Sequence, residues 1–332
     1  TAESRALTFD GIDNQGVSSF AVNALNMQLF TGLGDHLSMQ TSVDFVPRNR
    51  DPADPDGVFL GDFLDIKLAY AEYRSPRDSN KLNLYAGKFE SVLGREYRRF
   101  EATDMITVTP SLLCRYLCGR PLGLKGRIEL FGGKVNAAVA VTNGSPAYEH
   151  FGFYNEIDSN HAPTGSARLG IKLPIGSRSE LGASGAFGAQ DLQAENDIYQ
   201  WHIGADLFLD YRDFELQAEY VQGKADGETE AMDGAVPCGI TECIDYKGAY
   251  GLLSYRATNA LIPFARVDWR DALHQGGASF VYISELLRIT AGLRAEVGKH
   301  LIFKGEYTVN RELGRVPSFP NDTFTSTMIV KY

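Results

Sequence analysis

The chain has 332 residues, with 32 Lys and Arg against 42 Asp and Glu. The net charge of −10 argues against a nucleic-acid partner, because phosphate neutralisation needs a clustered positive surface, and 44% hydrophobic with 22% charged residues excludes a disordered chain. Charge-free apolar stretches such as 135–148 are shorter than the roughly 18–20 residues of a membrane helix, but a mean hydropathy of −0.20 leaves a membrane barrel open, since barrel strands alternate between lipid and lumen.

Strict apolar/polar alternation, broken by turn residues and by no long helical period, predicts sixteen strands. They fall at 4–12, 16–31, 36–47, 60–74, 81–91, 121–131, 134–142, 164–174, 179–190, 197–209, 213–224, 247–257, 260–270, 281–297, 300–311 and 321–332. Leu122, Leu124, Ile128 and Leu130 share one parity while Lys125, Arg127 and Glu129 share the other. The same split recurs at Leu169 and Ile171 against Arg168 and Lys172, and at Leu287, Ile289 and Leu293 against Arg288 and Arg294. Connections alternate short and long: tight turns such as Gly132-Gly133 and Gly298-Lys299 face long polar segments near 48–59, 92–120, 143–163, 225–246, 271–280 and 312–320. That asymmetry is the one expected of a transmembrane antiparallel β-barrel with short periplasmic turns and long extracellular loops. An even strand count then puts both termini in the periplasm, and the start at Thr1 without a leader fits a mature form from which a signal peptide was cleaved.

In the last strand Phe324, Met328, Val330 and the terminal Tyr332 share a parity. An amphipathic strand ending in an aromatic residue is similar to the C-terminal signature of outer-membrane barrels. Together with the strand count and the long segment after the fifth strand, the whole chain resembles the sixteen-stranded bacterial porins. Gly87-Lys88-Phe89-Glu90-Ser91-Val92-Leu93-Gly94 also resembles the strand end that runs into their pore-narrowing loop. The resemblance implies an all-β fold in a single domain, 1–332, spanning a Gram-negative outer membrane many times. It implies a water-filled channel for ions and small hydrophilic solutes, partnered by outer-membrane lipid and by two further copies in a homotrimer. The small residues Gly182, Ala183, Gly185 and Ala186 are the candidate packing surface for that neighbour.

Parity then assigns the lumen. Its bases are Lys67, Lys125, Arg127, Lys134, Arg168, Lys172, Arg256, Arg266, Arg270, Arg288, Arg294, Lys304 and Lys331, and its acids Asp44, Asp65, Glu129, Asp206, Glu215, Glu219, Asp268, Glu296 and Glu306. The principal wall candidates are Lys125, Arg127, Glu129, Arg168, Lys172, Arg266, Asp268, Arg288 and Arg294. Thirteen bases against nine acids suggest a mild anion preference, with the excess acid in loops that hold Asp51, Asp54 and Asp56 or Asp226, Glu228, Glu230, Asp233, Glu242 and Asp245. The other reading is that lumen charges only pair with each other, and a one-residue bulge reverses every parity beyond it. Segment 92–120 is the candidate constriction, through Arg95, Arg98, Arg99, Glu101, Asp104 and Arg115, with a short helix at 111–117; an outward, solvated loop is the alternative. Wall substitutions facing the lumen are expected to cost less than a charge placed on the lipid face.

Tyr70, Tyr199, Trp201, Tyr220, Tyr255, Trp269 and Tyr307 fall on the apolar parity near strand ends, where interfacial girdles lie. Cys114 with Cys118 and Cys238 with Cys243 are spaced for disulfides, local or crossed, of an oxidising compartment, with free thiols as the alternative. The six histidines form no H-E-x-x-H or haem motif, and no glycine-rich loop precedes a helix, so neither an enzyme nor a metal or other cofactor is expected. The competing function is a binding barrel, an adhesin, receptor or scaffold acting through its acidic extracellular loops.

Overall fold

A computed structural model describes residues 2–10, 17–45, 64–76, 81–99, 101–144, 160–189, 196–227, 238, 243–275, 281–314, 318 and 320–331. The strands are β1 (Ala2–Asp10), β2 (Val17–Gly32), β3 (Leu37–Phe45), β4 (Leu64–Arg74), β5 (Lys81–Lys88), β6 (Leu122–Leu130), β7 (Val135–Thr142) and β8 (Thr164–Lys172). They continue as β9 (Glu180–Ala189), β10 (Tyr199–Tyr211), β11 (Phe214–Ala225), β12 (Cys243–Tyr255), β13 (Leu261–Gln275), β14 (Val281–Val297), β15 (Leu301–Glu312) and β16 (Thr323–Val330). Each strand pairs with its sequence neighbours, and β1 pairs antiparallel with β16, so the sheet closes. Closure leaves no unpaired edge, which is how a sheet satisfies its backbone in lipid.

The alternation read from sequence is the alternation of the wall. Leu169 and Ile171 are exposed on the outer face while Arg168 is buried inside, and Val139 and Val141 point outward while Asn136 and Thr142 are buried inside. Of the expected girdle residues, Tyr199, Tyr220, Tyr255 and Tyr307 are exposed, and Trp201 and Trp269 are half-buried on the same outer parity. Tyr70 is a correction. The β3–β4 register slips so that Ser42 faces Leu68 while Val43 faces Ile66, leaving Lys67 as the extra residue of a bulge. Beyond it parity reverses: Leu68 is buried, Tyr70 donates to Gln40 Oε1 at 2.5 Å inside the barrel, and Glu72 joins the inner face.

The proposed small-residue outer surface is also corrected. In β9 only Ala183 and Gly185 take the outward parity of Leu181 and Phe187, whereas Gly182 and Ala186 face inward. A Cβ on Gly182 would lie 2.3 Å from Arg168 Nη2 and 2.5 Å from an Asp206 carboxylate oxygen, so this glycine clears space for a buried ion pair. Tyr332 and the acids 51, 54, 56, 228, 230, 233 and 242 fall outside the described residues.

Candidate functional site

Between β5 and β6 the chain leaves the wall. Gly94, at φ +63°, turns it, and a Cβ there would stand 2.2 Å from Glu219 Oε2, so the turn needs glycine both for its backbone and for its clearance. Among its described residues, the helical turns are a 3₁₀ turn at Glu96–Arg99 and one short helix, α1 (Cys114–Leu117).

This segment bonds to the inner faces of strands all around the barrel, which only a path through the lumen allows. Backbone N–H groups of Arg95 and Glu96 donate to the Glu219 carboxylate of β11 at 2.9 and 2.7 Å. Lys67 of β4 reaches Glu101 at 3.0 Å, and Arg120 reaches the same carboxylate at 3.2 Å. On β14, Arg294 donates to the carbonyls of Thr103 and Met105, both at 2.8 Å. On β15, Lys304 donates to the Ala102 and Thr107 carbonyls, and Glu306 accepts the N–H groups of Val108 and Thr109 at 2.8 and 2.9 Å. Arg266 and Asp268 of β13, paired at 2.8 Å, hold Thr109 O and Leu112 N–H at 2.7 and 3.1 Å. Lys125 of β6 closes the circuit on Glu90 O at 3.0 Å, its ammonium 4.6 Å from the ring centres of Tyr85 and Phe89.

The segment also carries an apolar core of its own. Phe89, Val92, Leu93, Leu113, Tyr116 and Leu117 pack on Ala140, Val221, Tyr246 and Tyr250 of the inner wall, with Tyr116 stacked on Tyr246 at 3.9 Å between ring centres. Glu96 is the internal tie, accepting Ser111 N–H at 2.8 Å and bonding the Ser111 hydroxyl. Burial pushes its carboxyl above the usual range, against the pull of Arg266 and the Ser111 donors.

The candidate arginines are drawn to one sector. Arg95 and Arg98 lie 3.3 and 3.5 Å from Glu180 of β9, and Arg99 makes a two-pronged pair with Glu215 of β11. Arg168 bridges Asp206 and Glu180 at 2.5 and 2.6 Å. The guanidinium carbons of Arg95, Arg99 and Arg178 surround the buried Phe208 ring at 4.1, 4.9 and 5.8 Å, close enough for cation–π attraction. Burial, with Arg98 alongside, pushes Arg95 down to about 10. Asp104 and Arg115 are exposed, Arg127 and Glu129 are half-buried on β6 toward the turns, and Lys172 is exposed at the end of β8. Arg288 donates to Asn310 Oδ1 at 3.0 Å. Parity missed Glu180 and Glu72, the first placed directly after a turn and the second beyond the bulge.

The cysteines join locally, Cys114 at the start of α1 to Cys118 just after its end, and Cys238 to Cys243 at the start of β12. Loops closed by residues four and five apart constrain no strand pairing. Full reduction is therefore expected to leave the barrel folded, with heat-modifiable gel migration unchanged. Collapse of the folded band on reduction alone would contradict it. The Glu96 carboxylate also lies near both sulfurs of Cys114 and Cys118, but sulfurs joined to each other are not thiolate ligands.

No protein-family model and no curated protein matches the sequence. Solved structures do. The trimer form of OmpT, an outer membrane protein of Vibrio cholerae, superposes with a TM-score of 0.60 at 9% identity, over 99% of this chain and 98% of that one. OmpF of Salmonella typhi, solved with daunomycin, gives 0.61 at 11%, over 99% and 96%. An anion-selective porin from Comamonas acidovorans gives 0.51 at 11%, over 99% and 97%. At such identities the likeness is one of fold, and the fold is the transmembrane β-barrel of the outer-membrane porins.

Proposed function

We propose that this chain is an outer-membrane porin, a non-enzymatic homotrimer in which each barrel passes ions and small hydrophilic solutes by passive diffusion. The observation that carries the reading is the segment 92–120 strapped across the lumen from β4 to β15, which narrows the path between the two ends of the barrel. Its polar anchors are wall side chains that a soluble protein of this kind would have no reason to keep inside a closed sheet. The oligomer and the solutes are inferred from the fold's other members, among them the trimeric OmpT form.

Selectivity is weak on this reading, because several of the wall charges hold the loop instead of facing solute. Arg266, Arg294, Lys304 and Lys125 hold loop carbonyls, so the excess of lumen bases overstates the field an ion meets. In the arginine sector Arg95, Arg98, Arg99, Arg168 and Arg178 face Glu180, Asp206, Asp210 and Glu215, an excess of one positive charge and hence a mild anion bias.

Stepwise conductance in planar bilayers, with a reversal potential of anionic sign in a salt gradient, is the expected result. Folded protein that inserts without conducting would transfer the function to the binding reading. A related expectation concerns the anchor at Glu306. Its replacement by Ala strips acceptors from Val108, Thr109 and the Thr109 hydroxyl, each charge-assisted bond contributing about 1.5–3 kcal/mol. Single-channel records of Glu306→Ala should show larger and noisier conductance, and steps identical to those of the parent would mean the loop does not set the pore.

A further inference from the structure

We propose that Phe30, Gln28 and Gln40 form a strip on the open side of the lumen that binds a neutral saccharide ring. The inference rests on the channel reading and names a solute class for it. In β2, Leu25, Met27 and Leu29 face outward, so Phe30 takes the inner parity, and it is 66% exposed there. Among the described strand residues no other large apolar side chain is exposed on the inner face. An apolar ring left in contact with water on a polar face is the informative exception. The bonds of segment 92–120 to the wall run to β4, β9, β11 and β13–β15, and the exposure of Gln28 and Phe30 marks β2 as wall that stays open to the lumen.

Register sets this ring among hydrogen-bonding groups. Phe30 stands directly opposite Gln40 of β3, and Gln40 directly opposite Tyr70 of β4, one row across three strands spaced by about 4.8 Å. The Tyr70 hydroxyl donates to Gln40 Oε1 at 2.5 Å, which anchors the amide and leaves its NH2 group without an acceptor among the described residues. Gln28, two residues from Phe30 on the same face, is exposed, and its amide has no partner among the described residues. The charged groups that flank the row are paired: Glu72, toward the turn, with Arg74 at 2.8 Å, and Asp44, toward the loops, with Lys67 at 3.1 Å. The strip therefore offers an apolar face and amide donors and acceptors instead of a charge. A pyranose is the complement, with a face of axial C–H groups for the phenyl ring and hydroxyls around its edge for the amides. A simple ion or a flexible polyol has no flat apolar face to lay on Phe30.

Cellobiose is the probe, and mannitol, which carries hydroxyls but no ring, is its control. Saturation-transfer NMR on the detergent-solubilised barrel should show magnetisation reaching the cellobiose C–H protons, with a Kd on the order of 10 mM, and none reaching mannitol. In planar bilayers cellobiose over the same range should reduce single-channel current and leave the reversal potential unmoved, because it is uncharged. Phe30→Ala should weaken both effects by about tenfold and Gln40→Ala by about threefold. Phe30→Trp should retain them, and Phe131→Ala, at an exposed aromatic in the turn after β6, should change neither. Equal transfer to cellobiose and mannitol, no transfer to cellobiose, or parent-like affinity in a folded Phe30→Ala barrel overturns the strip, and the first two need no variant. The two readings fail separately: transfer to cellobiose without conductance would reject the channel and support the strip, whereas conductance without transfer to cellobiose would support the channel and reject the strip.

Discussion

Arginine in place of Ile289 is expected to destabilise the barrel by about 2–4 kcal/mol, the cost of a charge near the lipid midplane. Ile289 sits at the centre of β14 on the outer face, is 45% exposed and stands between Val267 and Val309 on the neighbouring strands, which offer a guanidinium no opposite charge. The opposite parity is not the inexpensive side that alternation alone implies. Arg168→Leu leaves Asp206 and Glu180, both buried, without their shared guanidinium, and removing one partner of a buried ion pair costs about 3–5 kcal/mol. The two losses have different remedies. Neutralising Asp206 and Glu180 together should recover much of the Arg168→Leu loss, while no lumen change should rescue Ile289→Arg. Reversible denaturant unfolding in lipid vesicles measures both. A loss under about 1 kcal/mol at Ile289 would contradict a lipid-facing outer surface.

The strands were legible because each one is read independently: two-residue periodicity marks the strand, and Gly-, Asn- and Asp-containing turns mark its end. β12 and β13 nevertheless extend further toward the loops than the pattern implied, starting at Cys243 and ending at Gln275. There the inner face carries Tyr246, Ala272 and His274, and the period weakens as both faces become partly apolar. Tyr70 was misplaced for a reason no pattern reveals, since a bulge at Lys67 is a property of register between two strands. The lumen was legible as a list of charged residues but not as a field. Whether Lys304 faces solute or a loop carbonyl depends on where a segment over a hundred and fifty residues away settles. The same holds for Gly182, which reads as a packing surface until Arg168 is seen to need its space.

Neutralising Arg95, Arg98 and Arg99 together to Gln is expected to reverse the ion preference of the channel, not merely to weaken it. The sign follows from the partners. These three arginines are set against Glu180 and Glu215, so removing them exposes carboxylates that they now cancel. Arg168 and Arg178 then remain against Glu180, Asp206, Asp210 and Glu215, and a sector with one excess positive charge becomes one with two excess negative charges. The shift should be largest at low salt, where the Debye length is about 30 Å at 0.01 M, and should shrink toward 1 M, where it is about 3 Å. Glu180→Gln in the parent should move the reversal potential the other way, toward anions, because it frees Arg95 and Arg98. Reversal potentials in a salt gradient decide the matter for all three proteins. If the triple variant stays as anion-preferring as the parent, then permeating ions do not pass the Phe208 sector, and the path runs along a part of the wall that the loop does not cover.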